Sequence, residues 1–216
     1  MNPVSPLIHL VDDDEAVRTG LALLLGTVGL RVAHWPDPQL FLDGFDRESV
    51  GVIVLDVRMP RLSGLTVLQL LREQGADQPV VMLTGHGTVD MCRRAFKAGA
   101  TEFLEKPVDD DALLEAVLNG VRSHVQGRER DAVGREARER FAQLSARERE
   151  VLALVVAGLT SKEIARALGL SARTVETHRA HLGDKLQVQT LAQLIRGYAA
   201  LVEAGEPGGG GRAGTA

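Results

Sequence analysis

The sequence predicts an α/β domain, a doubly wound sheet of five parallel strands, followed by a small all-α domain of four helices. Two observations predict the first domain: short apolar runs alternate five times with helical segments, and most of these runs end at polar or charged residues. The third observation is that residues 144–204 contain helical spacing and helix caps without such runs. At 216 residues, the chain is long enough to give each domain its own core.

Five strand–helix units fill residues 1–122. Each apolar run is too short for a helix, whereas the segment after it repeats apolar residues at intervals of three and four. Right-handed connections leave few arrangements, and the flavodoxin-like order 2-1-3-4-5 makes strands one, three, four and five neighbours. Strands are predicted at 7–11, 30–34, 50–55, 79–84 and 101–104, and helices at 16–28, 37–45, 64–73, 88–98 and 110–122.

Polar side chains follow the neighbouring strands: Asp12 and Asp13 the first, Asp56 the third, Thr84 the fourth and Lys106 the fifth. Because the carboxyl ends of parallel strands share one edge, we expect these five to converge there. Three carboxylates at one place repel one another unless a cation joins them, and oxygen ligands suit Mg²⁺. Asp56 can then attack phosphorus while the ion and Lys106 neutralise the transferred group. Taken alone, Asp56 would indicate only a turn after a strand.

The motifs at these strand ends resemble those of the receiver domain of bacterial two-component response regulators. The matching segments are VDDD at 11–14, LDVRMP at 55–60, LTGHG at 83–87, AFKAGA at 95–100 and FLEKP at 103–107. The resemblance implies that Asp56 accepts a phosphoryl group from a phosphohistidine of a sensor histidine kinase. It implies that Asp12, Asp13, Asp56 and the backbone carbonyl of Arg58 hold Mg²⁺. Asp14 is instead expected to begin the first helix, where the helix dipole favours a carboxylate.

The resemblance also assigns a conformational switch to this domain. It makes Thr84 and Phe103 the switch pair, and it implies a cis peptide bond between Lys106 and Pro107. Phosphate on Asp56 would pull Thr84 inward, let Phe103 follow, and favour pairing of two chains through the fourth helix, fifth strand and fifth helix. Without the resemblance, Phe103 would be interpreted as a core aromatic residue.

Residues 123–143 alternate in charge and contain few apolar side chains. Such a segment is typical of a solvated helix or of a flexible tether. Gly127 and Gly134 weaken a helix, whereas Glu136 and Arg140 have the spacing of four that supports one. Heptads for a dimerising coiled coil are missing, and a flexible charged linker is the favoured interpretation.

The segment after the linker carries the signals of a helix-turn-helix. A glycine turn at 169–170 separates its second helix from its third, which is the connection typical of this motif. A last amphipathic helix is predicted from 190 to about 201. Capping boxes open the first two helices, Ser145 with Glu148 and Thr160 with Glu163, and Ser171 caps the third.

These helices resemble the LuxR-type DNA-binding domain, with the third as recognition helix. Off its apolar stripe the third helix carries polar and small residues, a pattern that on spacing alone also fits an ordinary solvated bundle. The segments that carry the resemblance are LSAREREVL at 144–152, GLTSKEIA at 158–165 and LSARTVETHR at 170–179.

The resemblance implies a set of DNA-contacting residues. Glu176 stands where relatives often carry a basic residue, and its carboxylate can accept from a cytosine amino group. Phosphate contacts would fall on Lys162, Thr174 and Lys185. Base contacts would fall on Glu176, Thr177 and Ala180. The complete implied set is Thr160, Ser161, Lys162, Arg173, Thr174, Glu176, Thr177, Arg179, Ala180 and Lys185.

Charge is divided along the chain as two different partners would require. Residues 1–122 carry 11 Lys and Arg against 18 Asp and Glu, whereas residues 144–200 carry 8 against 5. An acidic unit suits a cation and a basic one suits phosphate. The single Cys92 excludes a disulfide framework and a Cys-rich metal site. From the lack of a leader or a long apolar run, we expect a cytoplasmic protein with no membrane partner, and a disordered tail at 205–216.

The order of the two domains resembles the NarL/FixJ response regulators, and TGHG at 84–87 favours the FixJ subgroup. This implies a phosphorylation-dependent transcriptional regulator, not an enzyme, that forms a homodimer, binds promoter DNA and meets RNA polymerase there. A small-molecule aspartyl-phosphate hydrolase is one alternative, but such enzymes carry a second Asp where this chain has Arg58. The other is a phosphorylation-independent DNA-binding regulator with a vestigial receiver, which would have no use for the complete set of strand-end residues.

Overall fold

The computed structural model describes residues 5–205, and contacts divide the chain into two compact units between Glu129 and Arg130. The predicted disordered tail lies outside the described residues apart from Gly205, which ends the last helix. Each unit has its own hydrophobic core and its own secondary structure, as the sequence predicts.

The first unit contains a parallel five-stranded sheet in the predicted order, β2-β1-β3-β4-β5. Parallel pairing is observed at each junction between neighbours. The strands are β1 Leu7–Val11, β2 Arg31–Trp35, β3 Gly51–Asp56, β4 Val80–Thr84 and β5 Glu102–Glu105.

Helices cover both faces of this sheet, and β3 is therefore buried at every position. Val52 and Val54 pack in one core cluster, with residues of the first and fifth helices. Ile53 and Leu55 pack in the other, with residues of the second, third and fourth. The helices are α1 Glu15–Thr27, α2 Pro38–Gly44, α3 Gly64–Glu73, α4 Val89–Lys97 and α5 Asp110–Ala142.

Gly64 brings the start of α3 against the end of β3. Its N–H donates to the carbonyl of Val57 at 3.0 Å, and Ser63 caps the helix by accepting from the backbone of Thr66. A Cβ at position 64 would lie 2.1 Å from the carbonyl oxygen of Asp56. Only glycine allows this approach, so the backbone beside Asp56 depends on it.

Gly64→Ala is expected to lower the free energy of unfolding of the first unit by about 1–3 kcal/mol, because the added methyl group forces the backbone of Asp56 or α3 to move. Urea titration followed by Trp35 fluorescence measures the change. The matched control is Gly20→Ala in α1, where a Cβ meets no atom within 4 Å. The free energy of unfolding of that control should rise by about 0.5–1 kcal/mol, because alanine is more stable than glycine inside a helix. Equal effects at both positions would contradict the steric argument.

Helix α5 corrects the favoured interpretation of residues 123–143 as a flexible tether. The helix runs without a break from Asp110 to Ala142, and the first compact unit extends to Glu129. Although α5 has 33 residues, neither it nor any other helix within residues 5–205 is both long and apolar enough to cross a membrane.

Tertiary contacts explain why α5 continues past the predicted end. His124 is 5% exposed and contacts the backbone of Gly51 through Nδ1, at 3.0 Å from the carbonyl oxygen. Its Nε2 lies 3.2 Å from Asp77 Oδ1. Arg128, one turn later, pairs with Glu48 and Asp77 at 3.0 and 3.1 Å. These contacts stabilise helical backbone in a segment whose charge pattern left a helix and a tether both open and whose Gly127 weakens a helix.

The second unit has the four predicted helices after α5. Gly169 adopts a left-handed conformation, with φ of 65°, and forms the turn between the second and third of them. Tyr198 is buried in the core and donates to the carbonyl of Leu186 at 2.9 Å. The helices are α6 Ala146–Val156, α7 Ser161–Leu168, α8 Ala172–Leu186 and α9 Leu191–Gly205.

Candidate functional site

Three charged side chains meet at the carboxyl edge of the sheet. Asp12 follows β1 and Asp56 ends β3, and they are only 1% and 4% exposed. Lys106 follows β5, and its Nζ lies 2.6 Å from Asp12 Oδ2 and 2.6 Å from Asp56 Oδ1. The peptide bond between Lys106 and Pro107 is cis, as the resemblance implied. The three side chains thus form one buried cluster joined by the ammonium group.

Burial and ion pairing oppose each other in this cluster. Burial is the largest influence on Asp56 and raises the pKa of its carboxyl group, while the hydrogen bond and charge of Lys106 act in the other direction. Burial lowers the pKa of Lys106, but its hydrogen bonds to Asp12 and Asp56 and their charges outweigh this and raise it overall. The ammonium therefore stays protonated, and two buried carboxylates depend on it.

Of the side chains predicted to bind magnesium, Asp12 and Asp56 lie together at Lys106. Asp13 is exposed, and across residues 5–205 no three His, Cys, Asp or Glu side chains lie close enough together to hold a metal ion. The backbone N–H of Arg58 donates to Asp56 Oδ2 at 2.6 Å. Asp12 and Asp56 nevertheless present oxygen atoms alone, the donor type that fits Mg²⁺. A divalent cation offers them the same neutralisation that Lys106 offers.

The start of α1 orients Asp12. Asp14, predicted as a carboxylate at the helix start, is the N-terminal cap of α1, since its side chain accepts from the backbone of Ala16 and Val17. Asp12 Oδ1 accepts from the backbone N–H of Asp14 at 2.9 Å. Arg18 donates to the backbone carbonyl of Asp12 at 2.6 Å. Sequence reasoning missed Arg18, because a bond to a backbone carbonyl leaves no signature in the residue types.

The predicted switch residues both lie beside Gly87, where an added Cβ would be 3.5 Å from Thr84 and 3.4 Å from Phe103. Thr84 is fully buried, and its hydroxyl donates to the sulfur of Met91 in α4 at 3.8 Å. The same oxygen accepts from the backbone N–H of His86 at 3.3 Å. Phe103 is half-buried and packs, like Met91, against the core cluster on this face. The sequence pattern did not indicate Met91 as the partner of Thr84.

Helix α8 has a buried face and an exposed face. Val175, Leu182 and Leu186 are buried in the second core. The exposed face is lined by hydrogen-bonding and small side chains, as a recognition helix requires. Of the residues predicted to contact DNA on α8, Arg173, Thr174, Glu176, Thr177, Ala180 and Lys185 are exposed, and Arg179 is half-buried.

The start of α7 carries the remaining predicted DNA contacts. Thr160 is the N-terminal cap of α7 and forms the predicted capping box with Glu163. Thr160 and Lys162 are exposed, and Ser161 is half-buried. A helix N-terminus with a nearby lysine suits a phosphate group.

Lys185, one of the predicted phosphate contacts, already forms an ion pair with Glu148. Its Nζ lies 2.8 Å from Glu148 Oε2, and the same oxygen accepts from the backbone N–H of Ser145 at 2.8 Å. These hydrogen bonds, led by that of Lys185, lower the pKa of Glu148 to about 2. The sequence revealed the capping box at Glu148 but not this pair, whose members are 37 positions apart.

Comparison with known families matches both units. The family described as "Response regulator receiver domain" matches residues 8–118, and the family described as "Bacterial regulatory proteins, luxR family" matches residues 142–197. The first range covers the sheet with α1–α4 and the start of α5, and the second covers α6–α8 and about the first half of α9.

Individual relatives align over both units. The transcriptional regulatory protein FixJ of Azorhizobium caulinodans is 46% identical over 195 residues, which cover 90% of this chain and 92% of the relative. The structure of the response regulator StyR is 37% identical, covers 91% of this chain and 99% of its own, and superposes with a TM-score of 0.82. Full-length FixJ from B. japonicum is 38% identical, with a TM-score of 0.57 over 94% of this chain and 99% of its own.

Proposed function

The chain belongs to the two-component response regulators of the FixJ type, in which a receiver domain precedes a LuxR-family DNA-binding domain, and from this premise we propose that Asp56 is its phosphorylation site. Phosphorylation by a sensor histidine kinase converts the chain into a dimer that binds promoter DNA. The family consists of transcriptional regulators rather than enzymes. We infer that kinase, chain and DNA meet in the cytoplasm.

The observation that carries this proposal is the ammonium of Lys106 beside a buried, oriented nucleophile. Asp56 Oδ1 lies at the ammonium, and Oδ2 is held by the backbone N–H of Arg58. In the transfer, an oxygen of Asp56 bonds to phosphorus as the phosphorus–nitrogen bond of the phosphohistidine breaks. The electron pair of that bond stays on the histidine nitrogen. Lys106 is already in position to neutralise the charge on the phosphoryl oxygens.

Magnesium is the cofactor that this site would use. We propose that it is held by the carboxylates of Asp12, Asp13 and Asp56 and by the backbone carbonyl of Arg58. When bound, the ion neutralises phosphoryl oxygens and the surrounding carboxylates. The oxygen donors of Asp12 and Asp56, both buried beside Lys106, support this assignment.

The hydroxyl of Thr84 provides the link from phosphate to the rest of the domain. Its acceptor is the thioether of Met91, and sulfur is a weak acceptor compared with a phosphoryl oxygen. We propose that Thr84 turns to the phosphoryl group, that Phe103 moves into the space released, and that the face formed by α4, β5 and α5 then pairs with a second chain.

DNA recognition follows from the exposed face of α8. A dimer would place two copies of α8 in successive major grooves, on half-sites about 34 Å apart. Lys162 and Thr174 would contact phosphates, with Thr160, Ser161, Arg173 and Arg179 beside them. Glu176, Thr177 and Ala180 would meet base edges. RNA polymerase at the promoter is the further partner of a regulator of this kind.

The proposal is tested with the full chain, Mg²⁺ and beryllofluoride, a mimic of the phosphoryl group. Sedimentation is expected to change from monomer to dimer, and the affinity for fragments selected from a genomic library is expected to rise about 5–150-fold, the usual range for coupling between two sites. DNA binding that is the same with and without the mimic would favour the vestigial receiver. Omission of Mg²⁺ is the matched control and should abolish the response.

A further inference from the structure

Glu148 and Lys185 connect the start of α6 to the end of α8 in the second unit. Glu148 stands in the first turn of α6, and Lys185 stands in the last turn of α8. The side chain of Glu148 is only 6% exposed, whereas that of Lys185 is 42% exposed. The pair therefore joins a buried carboxylate to an ammonium near the surface, at the C-terminal end of the recognition helix.

The carboxylate of Glu148 is committed to this arrangement on two sides. Its Oε2 accepts both from Lys185 Nζ and from the backbone N–H of Ser145, at 2.8 Å each. Since a buried carboxylate without a cation is costly, moving Lys185 to a DNA phosphate would leave Glu148 uncompensated. A phosphate would have to compete with a carboxylate that is already desolvated and correctly oriented.

We propose that Glu148 is a positioning residue for DNA binding, which holds Lys185 as an internal counter-ion and fixes the end of α8 to α6, so that Lys185 does not neutralise a DNA phosphate. This inference rests on the proposed DNA-binding function. It departs from the assignment of Lys185 as a phosphate contact, which came from resemblance. Lys162 is exposed at the start of α7 and keeps that role.

The salt dependence of DNA binding distinguishes the two roles of a lysine. Each phosphate neutralised by a side chain contributes about −0.9 to the slope of log affinity against log salt concentration on duplex DNA. Lys162→Gln should therefore make the slope shallower by about 0.9, whereas Lys185→Gln should leave it unchanged. A lysine that supports the fold without neutralising a phosphate contributes nothing to this slope.

Removing the charge of Glu148 should produce the opposite effect. Glu148→Gln keeps an oxygen that can accept from Ser145 and Lys185, but it removes the negative charge that holds the ammonium, so Lys185 can move to a phosphate and the slope should become steeper by about 0.9. The double variant Glu148→Gln/Lys185→Gln should return to the wild-type slope. This reversal is specific to a released lysine, because general loosening of α8 would not be repaired by a second substitution.

The experiment uses the full chain with beryllofluoride and Mg²⁺, and a fluorescent 30-base-pair duplex of random sequence, by anisotropy at several salt concentrations. Circular dichroism identifies the temperature at which each variant is folded. If a variant does not fold, the ¹⁵N signal of the Lys185 ammonium in the wild-type chain gives the answer, since it should not change when DNA is added. A shallower slope for Lys185→Gln, or a shifted ammonium signal, would overturn the proposal. Absence of binding by the wild-type chain would instead refute the DNA-binding function itself.

Discussion

A chain carrying Asp56→Asn is expected to bind DNA with the same affinity whether or not a phosphodonor is present. The amide cannot accept the phosphoryl group, so Thr84 keeps its hydrogen bond to Met91 and the unphosphorylated state persists. The wild-type chain is expected to gain about 5–150-fold in affinity under the same conditions. Anisotropy titrations of a selected DNA fragment, with and without acetyl phosphate and Mg²⁺, measure the difference.

The matched control for this experiment is Asp43→Asn, which removes an exposed carboxylate of α2. It changes the net charge equally, and it should respond to acetyl phosphate as the wild-type chain does. If Asp56→Asn still responded, Asp56 would not be the phosphorylation site.

The Asp56→Asn variant should lose its response to the phosphodonor without losing its fold. Burial raises the pKa of Asp56 above its ordinary value of 3.8. A carboxyl group with a raised folded pKa contributes stability at low pH and loses it as the pH rises through that pKa. Near neutral pH the burial of the Asp56 carboxyl group therefore costs the first unit stability, and asparagine removes this cost. Urea titration followed by the fluorescence of Trp35, the only tryptophan, should show a higher free energy of unfolding.

Lys106→Met is expected to lower the free energy of unfolding of the first unit by about 3 kcal/mol at pH 7. The substitution leaves Asp12 and Asp56 buried without their common cation. This expected loss lies at the low end of the range for removing one partner of a buried ion pair, because the Lys106 side chain is 21% exposed. The exposed Lys97 provides the control, and Lys97→Met should change stability by less than about 0.5 kcal/mol.

The effect of Lys106→Met should depend on pH. Lys106 lowers the pKa of Asp56, so the pKa rises further when the ammonium is removed. The variant therefore loses stability as the pH rises through this higher pKa of Asp56 and recovers it as the Asp56 carboxyl group becomes protonated at lower pH. Urea titrations from acidic to neutral pH should show the difference from wild type becoming smaller at low pH. A difference independent of pH would mean that Lys106 contributes packing and not charge.

The strands of the first unit could be predicted because the apolar residue types in each short run indicate buried positions. In β3, apolar residues at consecutive positions indicate a strand covered on both faces, and the clusters around Val52 and Ile53 are those two faces. Chain connectivity left few sheet orders, and the flavodoxin-like order predicted among them is observed. This order brings Asp12, Asp56 and Lys106 to one edge, as predicted.

The extent of α5 and the partner of Lys185 could not be predicted in this way. The charge pattern of residues 123–143 and the glycines within it describe an isolated segment, in which a helix is weak. His124 and Arg128 make that segment helical through contacts with Gly51 and Glu48, which precede them by 73 and 80 positions. The family resemblance made Lys185 a phosphate contact, and no local pattern points from it to Glu148.

By itself the sequence determined the two-domain organisation, the sheet order, the helix caps and the identity of the strand-end residues, because these depend on side-chain type and spacing along the chain. Only the tertiary structure decided that Lys106 bridges Asp12 and Asp56, that Thr84 donates to Met91 and that Lys185 is held by Glu148. The physical reason is that a hydrogen bond or ion pair depends on distances of a few ångströms. Lys106 and Asp12, for example, are 94 residues apart, and only the packing of the whole sheet brings them together.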